Sequence, residues 1–184
     1  MRNYTLTNSQ DLLVNSEYVA SYATYTSQDR DKHRINVEII KTNPIVSVVV
    51  LNERNKLVVL PTFQPAVGQW FYEIPFRTFN PRESVMQVAE EAVKKETNLN
   101  LEDAVLLTQG PNQLNPKADT NLQVVFGRVQ TFLNTPNSQV RLVDLKDAYY
   151  LLKNQIKYGK PFKDGLYLGG MSSNALRIYK FVEE

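Results

Sequence analysis

The chain has no cysteine, so disulfides, thiolate nucleophiles and cysteine-based zinc sites are excluded. Histidine occurs once, at His33, inside the charged run QDRDKHR, where it reads as a solvated turn residue. A Ser/His/Asp triad therefore has no base to draw on. No glycine-rich phosphate loop is present. No apolar run approaches the ~18 residues of a membrane span, and the start carries no signal-peptide pattern; the expectation is a cytoplasmic protein. Neither sign of charge dominates. Lys and Arg number 21 against 19 Asp and Glu, and a net charge of +2 is too small to point to nucleic acid or an anionic membrane.

What remains is an ordinary globular composition, 42% apolar and 22% charged over 184 residues, which predicts one compact unit. Residues 1–16 carry no clear pattern. From Glu17 to Ile40 a Tyr/Thr/Val-rich stretch, a charged turn at 28–34 and the alternating run INVEII predict an antiparallel hairpin. The run PIVSVVVL at 44–51 is almost continuously apolar and β-branched, as expected of a strand buried on both faces. It returns through the turn NERN into KLVVL at 56–60. Further strands are expected at 104–107 and 122–132, with a turn-rich loop at 109–119 between them. Another follows over Val140–Val143. Helices are expected at 147–158, ending at Gly159, and at 171–181, begun by Ser and Asn caps.

The centre of the chain is EIPFRTFNPRESVMQVAEEAVKKETNL, residues 73–99. Ser84 and Gln87 have capping-box spacing. Val85, Val88, Ala89, Ala92 and Val93 share one helical face, and Asn98 stands where a left-handed C-terminal cap belongs. Glu90, Glu91, Lys94, Lys95 and Glu96 occupy the other face, with Glu90/Lys94 and Glu91/Lys95 spaced for i, i+4 pairing. Glu96 alone reads as an ordinary solvated carboxylate. The aromatics Phe63, Trp70, Phe71, Tyr72, Phe76 and Phe79 cluster just before, a composition expected of core or dimer interface.

This stretch resembles the Nudix box, Gly-x5-Glu-x7-Arg-Glu-U-x-Glu-Glu-x-Gly-U with U aliphatic. The first Glu matches at Glu83 and the aliphatic positions at Val93 and Leu99. Arg77 stands at the opening Gly, Glu91 and Ala92 at the Arg-Glu pair, Lys95 and Glu96 at the Glu-Glu pair, and Asn98 at the last Gly. PAVG at 65–68 and EIP at 73–75 are similar to the branch that splits ADP-ribose and related nucleoside diphosphate sugars. The place where that branch has a catalytic acidic residue falls on Ser138-Gln139, and its phosphate-binding Gln-x-Arg falls on Thr62 and Gln64.

The resemblance implies an α/β (α+β) Nudix fold, a mixed sheet packed between helices. An N-terminal antiparallel hairpin over residues 1–42 would precede a Nudix-like domain over 43–184. It also implies a homodimer through those N-terminal strands and a nucleotide or nucleotide-sugar ligand. Vestigial catalytic positions would be Glu83 and Glu96, and substrate contacts Phe63, Gln64, Glu73 and Arg77. A hard divalent cation needs several oxygen ligands from one side, and only Glu96 survives of the i, i+4 pair. A metal site is therefore not expected, and Glu96 is the one ligand candidate. The expectation is a lapsed relative that binds a nucleotide or acts through protein contacts. The alternative is a Mg²⁺- or Mn²⁺-dependent pyrophosphatase using displaced carboxylates of Glu83, Glu90, Glu91 and Glu96.

Overall fold

The computed structural model describes residues 4–14, 18–65, 67–108, 113–115, 118–158 and 167–183. The protein is mixed α+β and mostly sheet. It begins with three antiparallel strands, β1 (Tyr4–Val14), β2 (Tyr18–Ser27) and β3 (Arg34–Thr42). The β2–β3 hairpin lies where the Tyr/Thr/Val pattern predicts it. β1 is an addition; its Thr- and Asn-rich sequence carries little periodicity, and its pairing with β2 shifts register twice.

The body is built on β4 (Ile45–Asn52), which turns into β5 (Lys56–Gln64) and then β6 (Gln69–Glu73). Pro75 interrupts the pairing, and β7 (Phe76–Thr78) crosses to the start of β4. Helix α1 (Val85–Thr97) follows, then β8 (Glu102–Leu106), β9 (Gln113–Asn115) and β10 (Ala118–Val129). β10 runs parallel to β4 over its length, and its first residues, Ala118 and Asp119, pair in parallel with Ile40 and Lys41 of β3. That junction links the N-terminal sheet to the body. β11 (Arg141–Asp144) pairs with β5 and leads into α2 (Leu145–Tyr158). A two-residue strand, β12 (Tyr167–Leu168), runs beside β6 and opens into α3 (Gly170–Glu183). The predicted stop at Gly159 and parts of the 109–119 loop lie outside the described residues.

The β-branched run at 45–52 fills both sides of the sheet, as its pattern predicts. Val46, Val48 and Val50 meet Val88, Ala89 and Val93 from α1 and Leu99 just past its end. Val49 and Leu51 meet Leu151, Leu152, Leu176 and Tyr179 from α2 and α3 on the opposite side. Each fully buried side chain of this size contributes about 1.5–3 kcal/mol of transfer free energy. Helix α1 is thus pinned by its apolar stripe. Asn98 closes it in the left-handed region (φ 62°, ψ 13°), its N–H donating to the Lys94 carbonyl at 2.9 Å.

The other end of α1 corrects the capping-box expectation. Ser84 has the extended backbone of an N-cap, and its carbonyl accepts the Val88 N–H at 3.0 Å, but its hydroxyl caps nothing. The preceding turn closes on itself instead. Glu83 Oε2 accepts the Asn80 N–H at 2.6 Å, and Asn80 Oδ1 accepts the Arg82 N–H at 3.0 Å.

The register of the N-terminal sheet sorts its two faces. Leu6, Tyr25 and Ile35 stand side by side across the three strands, with Ala23, Val37 and Ile39 on the same face. The opposite face carries Gln10, Thr24, Asn36 and Glu38 around Tyr22 and Ile40. Both faces are mixed: Tyr22 and Ile40 are 39% and 48% exposed on the second, and on the first the Ser21 hydroxyl donates to Asp11 Oδ1 at 2.7 Å.

Candidate functional site

Glu73 ends β6 at the point where the chain leaves one part of the sheet for another. The residue is buried, 3% exposed. Gln64 Nε2, from the paired strand β5, donates to Glu73 Oε1 at 2.7 Å. The Ser172 hydroxyl of α3 donates to Oε2, and the same Ser172 Oγ accepts the Ile74 N–H at 2.9 Å. Burial pushes the Glu73 carboxyl above its ordinary range, and the Ser172 and Gln64 hydrogen bonds offset part of that rise. Gln64 is thus a partner of Glu73, not an open phosphate contact.

Glu96, in the last turn of α1, faces the same region and is likewise no solvated carboxylate. Burial raises it to about 7, while the Phe76 backbone N–H it accepts and the Lys95 charge pull it down. The charge of Glu73 raises it further. Burial thus shifts both carboxyl groups near the β6–β7 crossover toward the protonated form. Ala92, one turn before Glu96, is 2% exposed. Of the helix positions at which the Nudix resemblance would place ligands, Ala92 is buried, Lys95 is exposed and Glu96 is half-buried.

The remaining candidates lie apart. Glu83 is held by its own turn through the Asn80 N–H. Arg77, on β7, makes an ion pair with Glu91, so Glu91 reaches across to the strand and not along the helix to Lys95. Both partners keep solvent contact, and such a pair contributes little net stability. Glu90 is exposed on the far side of α1, beside a hollow of about 270 Å³ that it lines with Glu91, Lys94, Asn100 and Leu101. Among the described residues no three carboxylates or imidazoles gather at metal-binding distance. The displaced-ligand arrangement of Glu83, Glu90, Glu91 and Glu96 is thus spread over three surfaces.

The aromatic cluster divides. Tyr72 and Phe79 are core, while Phe63 and Trp70 are 46% and 52% exposed and tilt against each other at 5.6 Å. At an interplanar angle of 57° they offer no parallel slot for a base. The loop at Ser138-Gln139 has a structural occupation. Asn137 donates its backbone N–H to the Thr97 carbonyl at 2.8 Å, and Asn98 Nδ2 donates to the Thr135 carbonyl at 3.0 Å. That loop closes the C-terminal end of α1.

Sequence reasoning missed Ser172 and Gly169. Ser172 reads as a helix cap from its position, but it lies inside the first turn of α3 and spends its hydroxyl on β6. Gly169 carries the clearer signal, a Gly-Gly pair just before a helix. A Cβ there would stand 1.7 Å from Glu73 Oε1, so only glycine lets the carboxyl seat. No protein-family model matches this chain, and no curated protein matches it.

Proposed function

We propose that this protein is a Nudix-type relative of the ADP-ribose pyrophosphatases that has given up metal-dependent hydrolysis and works by binding. One observation carries the reading: the acids retained in and just before the box, Glu73, Glu83 and Glu96, are each held by the protein's own donors. Glu73 is held by Ser172 and Gln64, Glu83 by the Asn80 N–H and Glu96 by the Phe76 N–H. A divalent ion needs charged oxygens open to one shared point. Here burial shifts Glu73 and Glu96 toward the neutral form, Ala92 is buried where a carboxylate would be needed, and Lys95 adds a positive charge beside Glu96. The sandwich of α1 against α2 and α3 across a mixed sheet, with a strand crossing at Pro75, supports the Nudix assignment of the scaffold. The ligand on this reading is a nucleotide or nucleotide sugar, with Arg77 and the exposed Phe63 as outer contacts.

The N-terminal sheet supplies the partner surface of the same proposal, a homodimer. One of its faces includes Leu6 and Ile35, exposed at 54% and 37%. A three-stranded sheet with exposed apolar side chains is stabilised by covering them, and a second copy has the same surface to bury.

Incubation with Mg²⁺ or Mn²⁺ and a panel of nucleoside diphosphate sugars tests the central claim. We expect no turnover above the blank. Turnover by the wild type that Glu96→Gln abolishes would refute it. Restoring the box carboxylate by Ala92→Glu is expected to destabilise the fold by several kcal/mol, because the new charge enters a closed interface.

A further inference from the structure

Four contacts converge at the start of the C-terminal helix. The Glu73 carboxyl takes the Ser172 hydroxyl on one oxygen and Gln64 Nε2 on the other. Ser172 Oγ also accepts the N–H of Ile74, the residue after Glu73, so a single hydroxyl engages two successive residues of the strand exit. The Gly169 N–H donates to the Tyr72 carbonyl at 2.9 Å, which engages a third. The bare Cα of Gly169 provides the seat against which the carboxyl rests. Beyond this knot α3 is held by an apolar stripe, Ala175, Leu176 and Tyr179.

We infer that Glu73 is a positioning residue, the latch that fixes the N-terminal end of the C-terminal helix to the strand exit through Ser172 and Gly169. A buried carboxyl of this kind is costly unless its oxygens are satisfied. Its two donors come from different elements, Gln64 from β5 and Ser172 from α3, so it is satisfied only when α3 is docked. The groups around it are Gln64 on β5, Ser172 and Gly169 at the α3 start, and the Glu96 carboxyl from α1, with Lys95 beside Glu96. Loss of Glu73 leaves the Ser172 hydroxyl, in the first turn of α3, without its acceptor, and loss of Ser172 leaves Glu73 Oε2 and the Ile74 N–H unpaired at the strand exit facing that turn. The helix then opens as a local unit while the sheet and α1 stay closed. The latch depends on these contacts alone and holds whether or not the Nudix reading does.

Amide hydrogen exchange on the full-length chain tests it, comparing protection in α3 (173–180) with protection in α1 (88–95). In Glu73→Ala and Ser172→Ala, exchange in α3 should rise about 10- to 100-fold, the loss of a hydrogen bond to a charged or buried partner, with α1 unchanged. Glu73→Gln keeps an acceptor for Ser172 and should recover most of the protection. The Glu96 carboxyl, followed by NMR titration, should move down only slightly in Glu73→Gln, since burial, its main cause, is unchanged and only the smaller effect of the Glu73 charge is removed. Should Glu73→Ala not fold, Ser172→Ala carries the same comparison. Unchanged α3 exchange in Ser172→Ala, or equal rises in both helices, would overturn the latch.

Discussion

Replacing Glu96 by Gln should make the protein less sensitive to pH, and more stable in mild alkali. In the folded chain, burial lifts the carboxyl from its ordinary 4.5 to about 7. Between those values the folded state binds the proton more tightly than the unfolded chain, so stability falls as pH rises through that window. Below it both states are protonated, and the favourable contribution is complete; above it both are ionised, and it is gone. At about 1.4 kcal/mol per pH unit the ceiling is about 3 kcal/mol. Glu96 keeps part of its surface in solvent, and screening reduces the figure to about 1–2 kcal/mol. The amide introduced by Glu96→Gln can still accept the Phe76 N–H, so the substitution removes the charge and keeps the hydrogen bond. Glu73 shifts in the same direction, and the exposed Glu53, lowered by the Thr131 N–H and hydroxyl, shifts in the other. Both are common to wild type and variant, which makes the difference between the two curves the decisive quantity. Urea unfolding followed by far-UV circular dichroism at pH 5 and pH 8 measures it. We expect near-equal stabilities at pH 5 and a gain for Glu96→Gln at pH 8. Parallel pH dependence in the two proteins would show that Glu96 is solvated, and the closed-site argument would fail with it.

The helix face can be checked directly. Val88, 2% exposed against β4, should not tolerate Asp, with a loss of several kcal/mol or no folded protein, while Glu91→Ala should cost under about 1 kcal/mol by thermal unfolding; similar losses from both would mean the helix is turned the other way. Gly169→Ala should destabilise by about 2 kcal/mol or more, since either the new methyl or the Glu73 carboxyl must move; a neutral result in chemical denaturation would show that the seat is loose. Light scattering should give twice the chain mass, and Ile35→Lys, which places a charge among the exposed apolar side chains of the N-terminal sheet, should return the monomer; a wild type that stays monomeric at tens of micromolar removes the dimer.

Much of the scaffold was readable because its signals are local. The run at 45–52 announces a doubly buried strand by containing no polar residue except Ser47 before its last position. Helix α1 announces its inner face by the 3.6-residue spacing of Val85, Val88, Ala89, Ala92 and Val93, and its end by Asn98. β1 was not readable, since Thr, Asn, Ser and Gln at 5–10 pair with β2 through backbone hydrogen bonds that leave no periodic mark. β12 is two residues long and exists only because β6 lies beside it.

The site was less legible for a reason that follows from the same distinction. Whether a carboxylate is a solvated surface group or a buried acid depends on what packs over it, and those neighbours are remote in sequence. Glu73 and Ser172 are 99 residues apart. Glu96 looks solvated on a helical projection that also carries Glu91 and Lys95, yet its carboxyl folds back onto the β7 backbone at Phe76. A motif comparison records which residue types stand at each position, and it does not record what those residues touch. In this chain Glu83 closes a turn through the Asn80 N–H, Glu91 pairs with Arg77, and Glu73 is held by Gln64 and Ser172. On the reading proposed above, acids bound into the scaffold in this way cannot be converted to a metal site by one substitution, because the ligand shell would have to be taken from groups whose removal loosens the fold.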